Sequence, residues 1–259
     1  MANIQSIERI SKLLSLFSVS RTRIGIAEIS RDLGLAKGTV QGLVRTLANE
    51  GFLLQDEETR KYQLGYKIYE LGAIFGRSLD INQKSVMRVD EIAKKENVTV
   101  RVAIWDKGSV LITLTSVAKI GSVPAGDFRL RVPAYCTSLG KAILAFLSEE
   151  DRNRYIEQTE LHAHTPSTIV DKNLLREDLE LTRKRGYSIN REEHWIHRAG
   201  IGVPIFGRQG SVVASIAIIA DSSRLFGDQK ERLIIGVTGA AAEISEHMGF
   251  SYDMNIKKT

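Results

Sequence analysis

The amphipathic segment 37–50 constrains the fold of this chain more than any other feature. Its apolar side chains recur at i, i+3, i+4 and i+7, the spacing of one face of an α-helix: Val40, Leu43, Val44 and Leu47. Gly34 stands shortly before this segment and Gly51 directly follows it, and glycine favours the left-handed turn that ends a helix. The pattern therefore predicts a bounded helix that buries one face and exposes the other.

The segments around this helix extend the pattern. They predict two further helices and two short strands, at 4–18, 26–33, 52–55 and 61–64. The polar stretch 56–60 separates the two strands and forms their tip. Helix, short helix, turn, helix and two-stranded ribbon is the order of a winged helix-turn-helix domain, which we place at residues 1–65.

The outward face of the segment 37–50 suits the major groove of DNA. It carries small or hydrogen-bonding residues and two cations: Lys37, Gly38, Thr39, Gln41, Gly42 and Arg45. Small residues allow a close approach of the backbone, and glutamine, threonine and arginine reach base edges or phosphates. Arg60 and Lys61, at the tip of the ribbon, are placed to contact the neighbouring DNA backbone. A helical bundle that contacts only proteins remains the alternative.

The composition excludes several classes of protein. Lys and Arg number 36 and Asp and Glu 31, a net charge of +5, which permits nucleic-acid binding without requiring it. Residues 1–65 hold nine basic and seven acidic residues, so their local arrangement has to steer any DNA. The one cysteine, Cys136, excludes an intramolecular disulfide and a multi-cysteine metal site. The longest apolar run, 212–220, is too short to cross a bilayer, so we expect a cytoplasmic protein with no membrane partner.

The rest of the chain changes character after a linker. We predict a linker helix at 66–80, a larger domain at 81–250 and a flexible tail at 251–259. The larger domain alternates predicted helices, at 81–96, 137–147, 149–158, 172–185 and 228–248, with predicted strands, at 98–105, 110–117, 187–190, 200–206 and 211–219. We therefore expect helices and strands to be mixed in this domain and assign the chain to the α+β class.

One motif in the larger domain suggests catalysis. Ser138 and Lys141 match S-x-x-K, the nucleophile pattern of penicillin-binding enzymes, but the chain lacks the S-D-N and K-T-G elements that this chemistry needs. The same residues also fit a tight helix start capped by Thr137 or Ser138. A cytosolic hydrolase whose first domain docks partners is therefore the alternative function. The glycines near 121–126 and 200–202 lack the further residues of nucleotide-binding loops, so no cofactor is expected.

A second group suggests a metal. Glu193, His194 and His197 have ligand chemistry, and a helix would bring the two histidines to one face. A polar pocket edge is the favoured interpretation of these residues, and His162 and His164 are interpreted as solvated. Cys136 is interpreted as a small core residue rather than a nucleophile. Arg129 and Arg131 either attract an anionic ligand or are solvated strand charges.

Three ordered segments resemble one known family. ISRDLGLAKGTVQGLVRTLANEGFLLQDEETRKYQLGYKIYELG is similar to the DNA-binding domain and linker helix of IclR-type bacterial transcription regulators. VPAYCTSLGKAILA and RGYSINREEHWIHRAGIGVPIF resemble two segments of that family's small-molecule domain. The resemblance covers about residues 4–250. It departs at Gly38 and Gly42, where family members often carry side chains able to contact DNA.

The resemblance implies a GAF-like α/β effector-binding domain with an antiparallel sheet. It implies double-stranded DNA with a palindromic operator as one partner, a small organic acid as another, and a homodimer or a dimer of dimers. Carried over by position, the effector-binding residues are Leu130, Ser138, Leu139, Asn190, Gly200, Ala217 and Ile219. The alkyl groups of Ala217 and Ile219 would make the pocket floor apolar, which favours an aromatic or larger acid. An interaction module without any ligand remains a third alternative.

Overall fold

The computed structural model describes residues 4–118 and 130–251. Contacts between residues are concentrated within two compact units of the chain. The first unit ends at Arg77 and the second begins at Ser78. Residues 66–77 of the predicted linker therefore belong with the first unit, and its last three residues belong with the second. Residues 252–259 of the predicted tail, Arg129 and the glycine-containing stretch 121–126 lie outside the described residues.

The first unit has the predicted order of helices and strands. Its elements are α1 (Gln5–Leu14), α2 (Ile26–Leu33), α3 (Lys37–Asn49), β1 (Leu53–Gln55), β2 (Tyr62–Leu64) and α4 (Tyr66–Ser78). The helix α2 ends at Gly34, whose φ of 63° gives the expected left-handed cap. The strands β1 and β2 pair antiparallel, with Leu53 opposite Leu64. This order confirms a winged helix-turn-helix architecture.

One apolar cluster holds the first unit together. It joins all three helices of the helix-turn-helix to the ribbon through Leu13, Ile29, Val40, Val44 and Leu53, each fully buried. By contrast, none of the described residues of α4 is buried. Its exposed apolar side chains are Tyr66, Tyr69, Leu71, Ile74 and Phe75.

The second unit contains the remaining elements. Its helices are α5 (Asp80–Glu96), α6 (Ser138–Leu144), α7 (Glu149–Gln158), α8 (Lys172–Arg185), α9 (Ser222–Leu225) and α10 (Lys230–His247). Its strands are β3 (Thr99–Asp106), β4 (Ser109–Val117), β5 (Arg131–Val132), β6 (Ser188–Arg191), β7 (Arg198–Phe206) and β8 (Val212–Asp221). The sequence pattern did not predict β5 or α9, and it placed the start of β7 two residues late.

An antiparallel sheet forms the centre of this unit. Within the described residues its strand order is β5-β4-β3-β8-β7-β6, and every neighbouring pair runs antiparallel. Along β8 the side chains alternate between the faces. Ile216 and Ile218 pack in the cluster that contains α5 and α10, whereas Ala217 packs in the cluster that contains α6 and α8. Helices therefore cover both faces, as expected for a GAF-like α+β domain.

Among the described residues, no helix combines the length and the apolar character that a transmembrane span requires.

Candidate functional site

The predicted recognition face of α3 lies on the outside of the molecule. All six of its residues are exposed: Lys37, Gly38, Thr39, Gln41, Gly42 and Arg45. The opposite face is anchored by the buried side chains of Val40, Val44 and Leu47. The helix therefore exposes to solvent the surface that is predicted to contact DNA. Its opposite face is held in the core.

The tip of the ribbon presents Arg60. Oδ1 of Asp56 accepts hydrogen bonds from the backbone N–H and the hydroxyl of Thr59, both at 2.7 Å. These bonds, together with the charge of Arg23 at 3.0 Å, lower the pKa of Asp56. Arg60 follows with a φ of 58° and an exposed side chain. The turn is thus internally braced, and its arginine projects from it.

Lys61, the second predicted contact of the ribbon, is less available. It is half-buried, and its ammonium lies 3.6 Å from Oε2 of Glu28. Glu28 in turn accepts a 2.7 Å hydrogen bond from the backbone N–H of Gly25 at the start of α2. Lys61 is therefore engaged in an ion pair within the domain, so Arg60 is the better placed of the two cations to contact DNA.

A cavity of about 280 Å³ lies in the second unit. Its walls are mostly apolar, formed by Ile112, Val132, Leu139, Trp195, Ile196 and Ile219. Polar groups reach it from Thr137, Ser138, Asn190 and His194, and two cations line it, Arg101 and Arg198. An apolar hollow with a few convergent polar and charged groups is the usual form of a small-molecule site.

Most of the residues assigned to the effector lie in this lining, but two do not. Ser138, Leu139, Asn190, Gly200 and Ile219 belong to it. Leu130 is 62% exposed and is not among the lining residues. Ala217 is also not among them, because its methyl group packs in the apolar cluster with α6. The apolar surface of the cavity is therefore formed by Ile219 and by wall residues that were not predicted from the sequence.

Two glycines let β7 approach the start of α6. A Cβ atom on Gly200 would stand 2.3 Å from Oγ of Ser138, and one on Gly202 would stand 2.2 Å from the carbonyl oxygen of Ser138. The hydroxyl of Ser188 donates to that same carbonyl at 2.6 Å. Of the two residues predicted to cap α6, Thr137 is the cap, and its Oγ1 accepts from the N–H of Gly140. Ser138 is thereby fixed at the edge of the cavity.

Asn190 holds the cavity wall. Its Nδ2 donates to the carbonyl of Cys136 at 2.8 Å, and its Oδ1 accepts from the backbone N–H of Glu193 at 3.0 Å. Both ends of the Asn190 amide therefore form hydrogen bonds with neighbouring segments of the backbone. These bonds fix the wall of the cavity.

The cations of the cavity differ from those suggested by the sequence. Arg131 is exposed and pairs with Asp106 and with the hydroxyl of Ser109, and it is not among the lining residues. Arg101, from the centre of β3, is buried to 7% exposure and lines the cavity, as does Arg198, which lies 3.1 Å from Asp221. The clue that was missed is an arginine placed between valines in the strand pattern VTVRVAI.

The S-x-x-K motif has a structural role. Lys141 is 1% exposed, and its Nζ lies 2.6 Å from Oε1 of Glu193 and 2.9 Å from Oδ2 of Asp178. Burial raises the pKa of Glu193, an effect that the ammonium of Lys141 opposes. The Nζ of Lys141 is engaged by two carboxyl groups, which is the geometry of a structural ion pair.

Cys136 is a buried thiol beside a histidine. Its Sγ lies 3.6 Å from Nδ1 of His194. Burial, together with the charge of Glu193, raises the pKa of Cys136 to about 12, so it is not an activated nucleophile on its own. This agrees with its interpretation as a core residue.

The suggested group Glu193, His194 and His197 does not converge. Glu193 is bonded to Lys141, and His197 is exposed with a φ of 64° and donates its backbone N–H to Glu192. His194 does line the cavity, which fits the favoured interpretation of a polar pocket edge. Instead, the ligand atoms of Cys136, His164 and His194 all lie within 4.8 Å of one another. His164 is exposed as expected, but its ring also lies against the hydroxyl of Tyr135.

Family models match both units. The IclR helix-turn-helix domain matches residues 6–57, and the C-terminal domain of bacterial transcriptional regulator IclR matches residues 76–246. The second match alone spans more than half of the chain.

Curated relatives match along most of their length. The HTH-type transcriptional regulator XynR of Escherichia coli is 30% identical over 225 residues, which cover 87% of this chain and 89% of that protein. The glycerol operon regulatory protein of Streptomyces coelicolor is 29% identical over 249 residues, which cover 95% and 97%. Both names describe regulators of transcription.

Solved structures share the fold. The IclR protein of Thermotoga maritima is 28% identical, with a TM-score of 0.77 over 96% of this chain and 100% of that one. An IclR homolog from Microbacterium hydrocarbonoxydans, solved in complex with 4-hydroxybenzoate, superposes with a TM-score of 0.82 over 94% and 99%, at 22% identity. The exposed face of α3, the cavity in the second unit and these matches are consistent with one family. The chain belongs to the IclR family of bacterial transcriptional regulators, and it is a DNA-binding regulator rather than an enzyme.

Proposed function

We propose that this regulator reads the major groove with the exposed face of α3 and contacts flanking phosphates through Arg60. The observation that carries the proposal is the anchoring of α3. Val40, Val44 and Leu47 fix one side of the helix in the core, so Gln41 and Arg45 project from a rigid element. Glutamine and arginine form the bidentate base contacts that give a few kilocalories of discrimination each.

Gln41→Ala and Arg45→Ala test this assignment. Each variant is expected to weaken binding to a promoter fragment by about 1–3 kcal/mol, roughly 5- to 150-fold in Kd. Lys184→Ala is the control, because it removes one positive charge from an exposed position in the other unit. Titration of labelled DNA at fixed salt gives the affinities. Binding of both α3 variants at the wild-type level would show that another surface reads the operator.

We also propose that two copies bind one palindromic operator. The apolar residues of α4 are exposed within this chain, among them Tyr69, Leu71 and Ile74, and exposed apolar clusters mark protein contacts. A two-fold pair places two recognition helices in half-sites about one turn of DNA, roughly 34–36 Å, apart. Association of two such pairs would give the dimer of dimers.

The cavity supports a small organic acid as the effector, with an aromatic acid favoured. The guanidinium groups of Arg101 and Arg198 offer charge to a carboxylate, and Trp195 and Ile219 offer apolar surface to a ring. The 4-hydroxybenzoate bound to the Microbacterium homolog is an acid of this class, and this analogy adds to the cavity chemistry. The acid changes operator affinity only if it binds one arrangement of the regulator better than the other.

A further inference from the structure

Three side chains with metal-ligand chemistry meet beside the cavity, and they come from three separate segments. Cys136 precedes α6, His164 lies between α7 and α8, and His194 follows β6. Among the described residues they form a group of three potential ligands whose ligand atoms all lie within 4.8 Å of one another. We propose that Cys136, His164 and His194 bind a zinc ion, a site that goes beyond the proposed function.

The donor set selects the metal. One sulfur and two imidazole nitrogens suit Zn²⁺, whereas Mg²⁺ and Ca²⁺ prefer oxygen ligands. With zinc bonds of about 2.3 Å to sulfur and 2.0–2.1 Å to nitrogen, a tetrahedral site separates S from N by roughly 3.5–3.6 Å. The observed distance between Sγ of Cys136 and Nδ1 of His194 is 3.6 Å. One edge of the site therefore already has the length that zinc requires.

The third ligand has only a short way to move. The ring of His164 stands on an exposed side chain, and it lies against that of His194 with centroids 4.9 Å apart. A rotation about its side-chain torsions adjusts its nitrogen without disturbing the core. The hydroxyl of Tyr135, 3.0 Å from Nε2 of His164, orients the ring in the way that outer contacts orient metal-binding histidines.

The backbone around the histidines is already fixed. The hydroxyl oxygen of Thr168 accepts from the N–H groups of His164 and Thr165, at 3.0 and 2.9 Å, and the hydroxyl donates to the carbonyl of Glu193 at 2.6 Å. The hydroxyl of Thr165 donates to the carbonyl of Glu192 at 2.6 Å. The two histidine-bearing segments are thus joined side by side, which lowers the conformational cost of binding a metal.

A buried carboxyl group beside His194 also favours a cation here. Glu193 directly precedes His194 in the chain and is 6% exposed. Its Oε1 binds Lys141, whereas its Oε2 has no hydrogen-bond partner among the residues that the structure describes. A buried carboxylate oxygen without a donor is costly, and a nearby divalent cation would stabilise it.

The site has an entrance and an open position. A second cavity, of about 350 Å³, is lined by His164, Thr165, His194, Trp195 and Ile196. Since His194 also lines the effector cavity, the metal would sit between the two spaces. Three protein ligands leave the fourth position of tetrahedral zinc to water or to an oxygen of a bound ligand, as in exchangeable zinc sites.

Metal titration of the full-length, untagged chain tests the proposal. After treatment with a chelator, the wild-type protein is expected to bind one equivalent of Zn²⁺ in a competition assay with a chromophoric chelator. Co²⁺ in its place is expected to give the intense visible bands of a tetrahedral site and a thiolate-to-metal charge-transfer band. Absence of stoichiometric zinc binding, or an octahedral cobalt spectrum without charge transfer, would overturn the proposal.

Variants assign the ligands. His164→Gln changes an exposed side chain and is expected to weaken zinc binding by at least about tenfold, in the range seen when contacts of a metal site are lost. His162→Gln is the matched control, an exposed histidine in the same loop, and should bind zinc like the wild type. Cys136→Ser should remove the charge-transfer band. Equal zinc affinity in His164→Gln and His162→Gln would place the metal elsewhere, independently of whether Cys136→Ser folds.

Discussion

Lys141 is the largest of the fully buried side chains that the structure describes, and it takes part in two ion pairs. At 1% exposure its ammonium depends on the carboxylates of Glu193 and Asp178 in place of water. Removing one member of a buried ion pair leaves the other charged and unsolvated, which is far more harmful than losing an exposed pair.

Lys141→Met is expected to lower the free energy of unfolding by about 3–5 kcal/mol. Arg154→Met is the control, since Arg154 pairs with Glu150 and Asp151 at the surface, where such a loss is worth at most about 1 kcal/mol. Denaturant unfolding followed by circular dichroism measures both. A loss in Lys141→Met no larger than that in Arg154→Met would show that the buried pair contributes little.

The role of Lys141 was not predictable from the sequence. Its position in S-x-x-K suggests a base, whereas its partner Glu193 lies 52 residues further along the chain. Local patterns do not encode such distant pairings. The same holds for Arg101, whose place in the cavity depends on β3 lying next to β8. Leu130 and Ala217 are not among the lining residues, because Leu130 is exposed and Ala217 packs in the apolar cluster with α6, neither of which a sequence position alone reveals.

The helix α3 carries two glycines on its exposed face. Added Cβ atoms at Gly38 and Gly42 would meet nothing within 4 Å of them in the described structure, so packing within the chain does not require glycine there. A glycine inside an exposed helix costs about 0.5–1 kcal/mol relative to alanine. Close approach to DNA is the function that this loss would serve.

Gly42→Ala is therefore expected to raise the stability of the first unit by about 0.5–1 kcal/mol and to weaken DNA binding. Gly239→Ala, at an equally open and exposed glycine of α10, should stabilise the chain similarly and leave DNA binding unchanged. Thermal unfolding and DNA titration separate the two effects. If Gly42→Ala bound DNA as tightly as the wild type, the groove would not contact α3 at this turn.

The exposed apolar side chains of α4 lead to a prediction about the oligomeric state. Leu71→Asp combined with Ile74→Asp is expected to dissociate the proposed dimer, because both side chains are exposed and stand on one side of the helix. Ile235→Asp, at a 72% exposed position of α10, is the matched control. Sedimentation velocity gives the masses. The double variant should also lose the preference for an operator with two half-sites, and an unchanged mass would exclude α4 as the contact.

Periodicity predicted the longer elements well and failed on the shortest. The helices α2, α3, α7 and α8 fall within a residue of their expected ends. In α3, four apolar positions at helical spacing define the inward face. The strand β5 has two residues and the helix α9 has four, too few to show a period. Their existence depends on pairing with β4 and on the end of β8, which a local pattern does not show.

Regulation by an effector requires the second unit to bind an acid and the first unit to respond on DNA. A ligand that binds only the folded state raises the free energy of unfolding by RT ln(1 + [L]/Kd), about 2.7 kcal/mol at a hundredfold excess over Kd. The ligand must also have different affinities for the DNA-bound and free arrangements, since equal affinities shift nothing. Stability and DNA affinity therefore report on the two halves of the proposal separately.

Benzoate and 4-hydroxybenzoate are expected to raise the unfolding temperature of the wild-type chain, and benzamide, which has the same ring without the charge, should raise it less. Arg101→Met is expected to abolish the difference, because it removes a buried guanidinium that lines the cavity. Arg131→Met, which removes an exposed arginine that is not among the lining residues, should keep it. Equal shifts with acid and amide, or a full response in Arg101→Met, would show that the cavity does not recognise a carboxylate.

Where the acid shifts the stability of the wild type, titration of the operator with and without the acid then measures the coupling between the acid and DNA. Identical DNA affinities in the two titrations would show that binding in the cavity does not affect DNA binding.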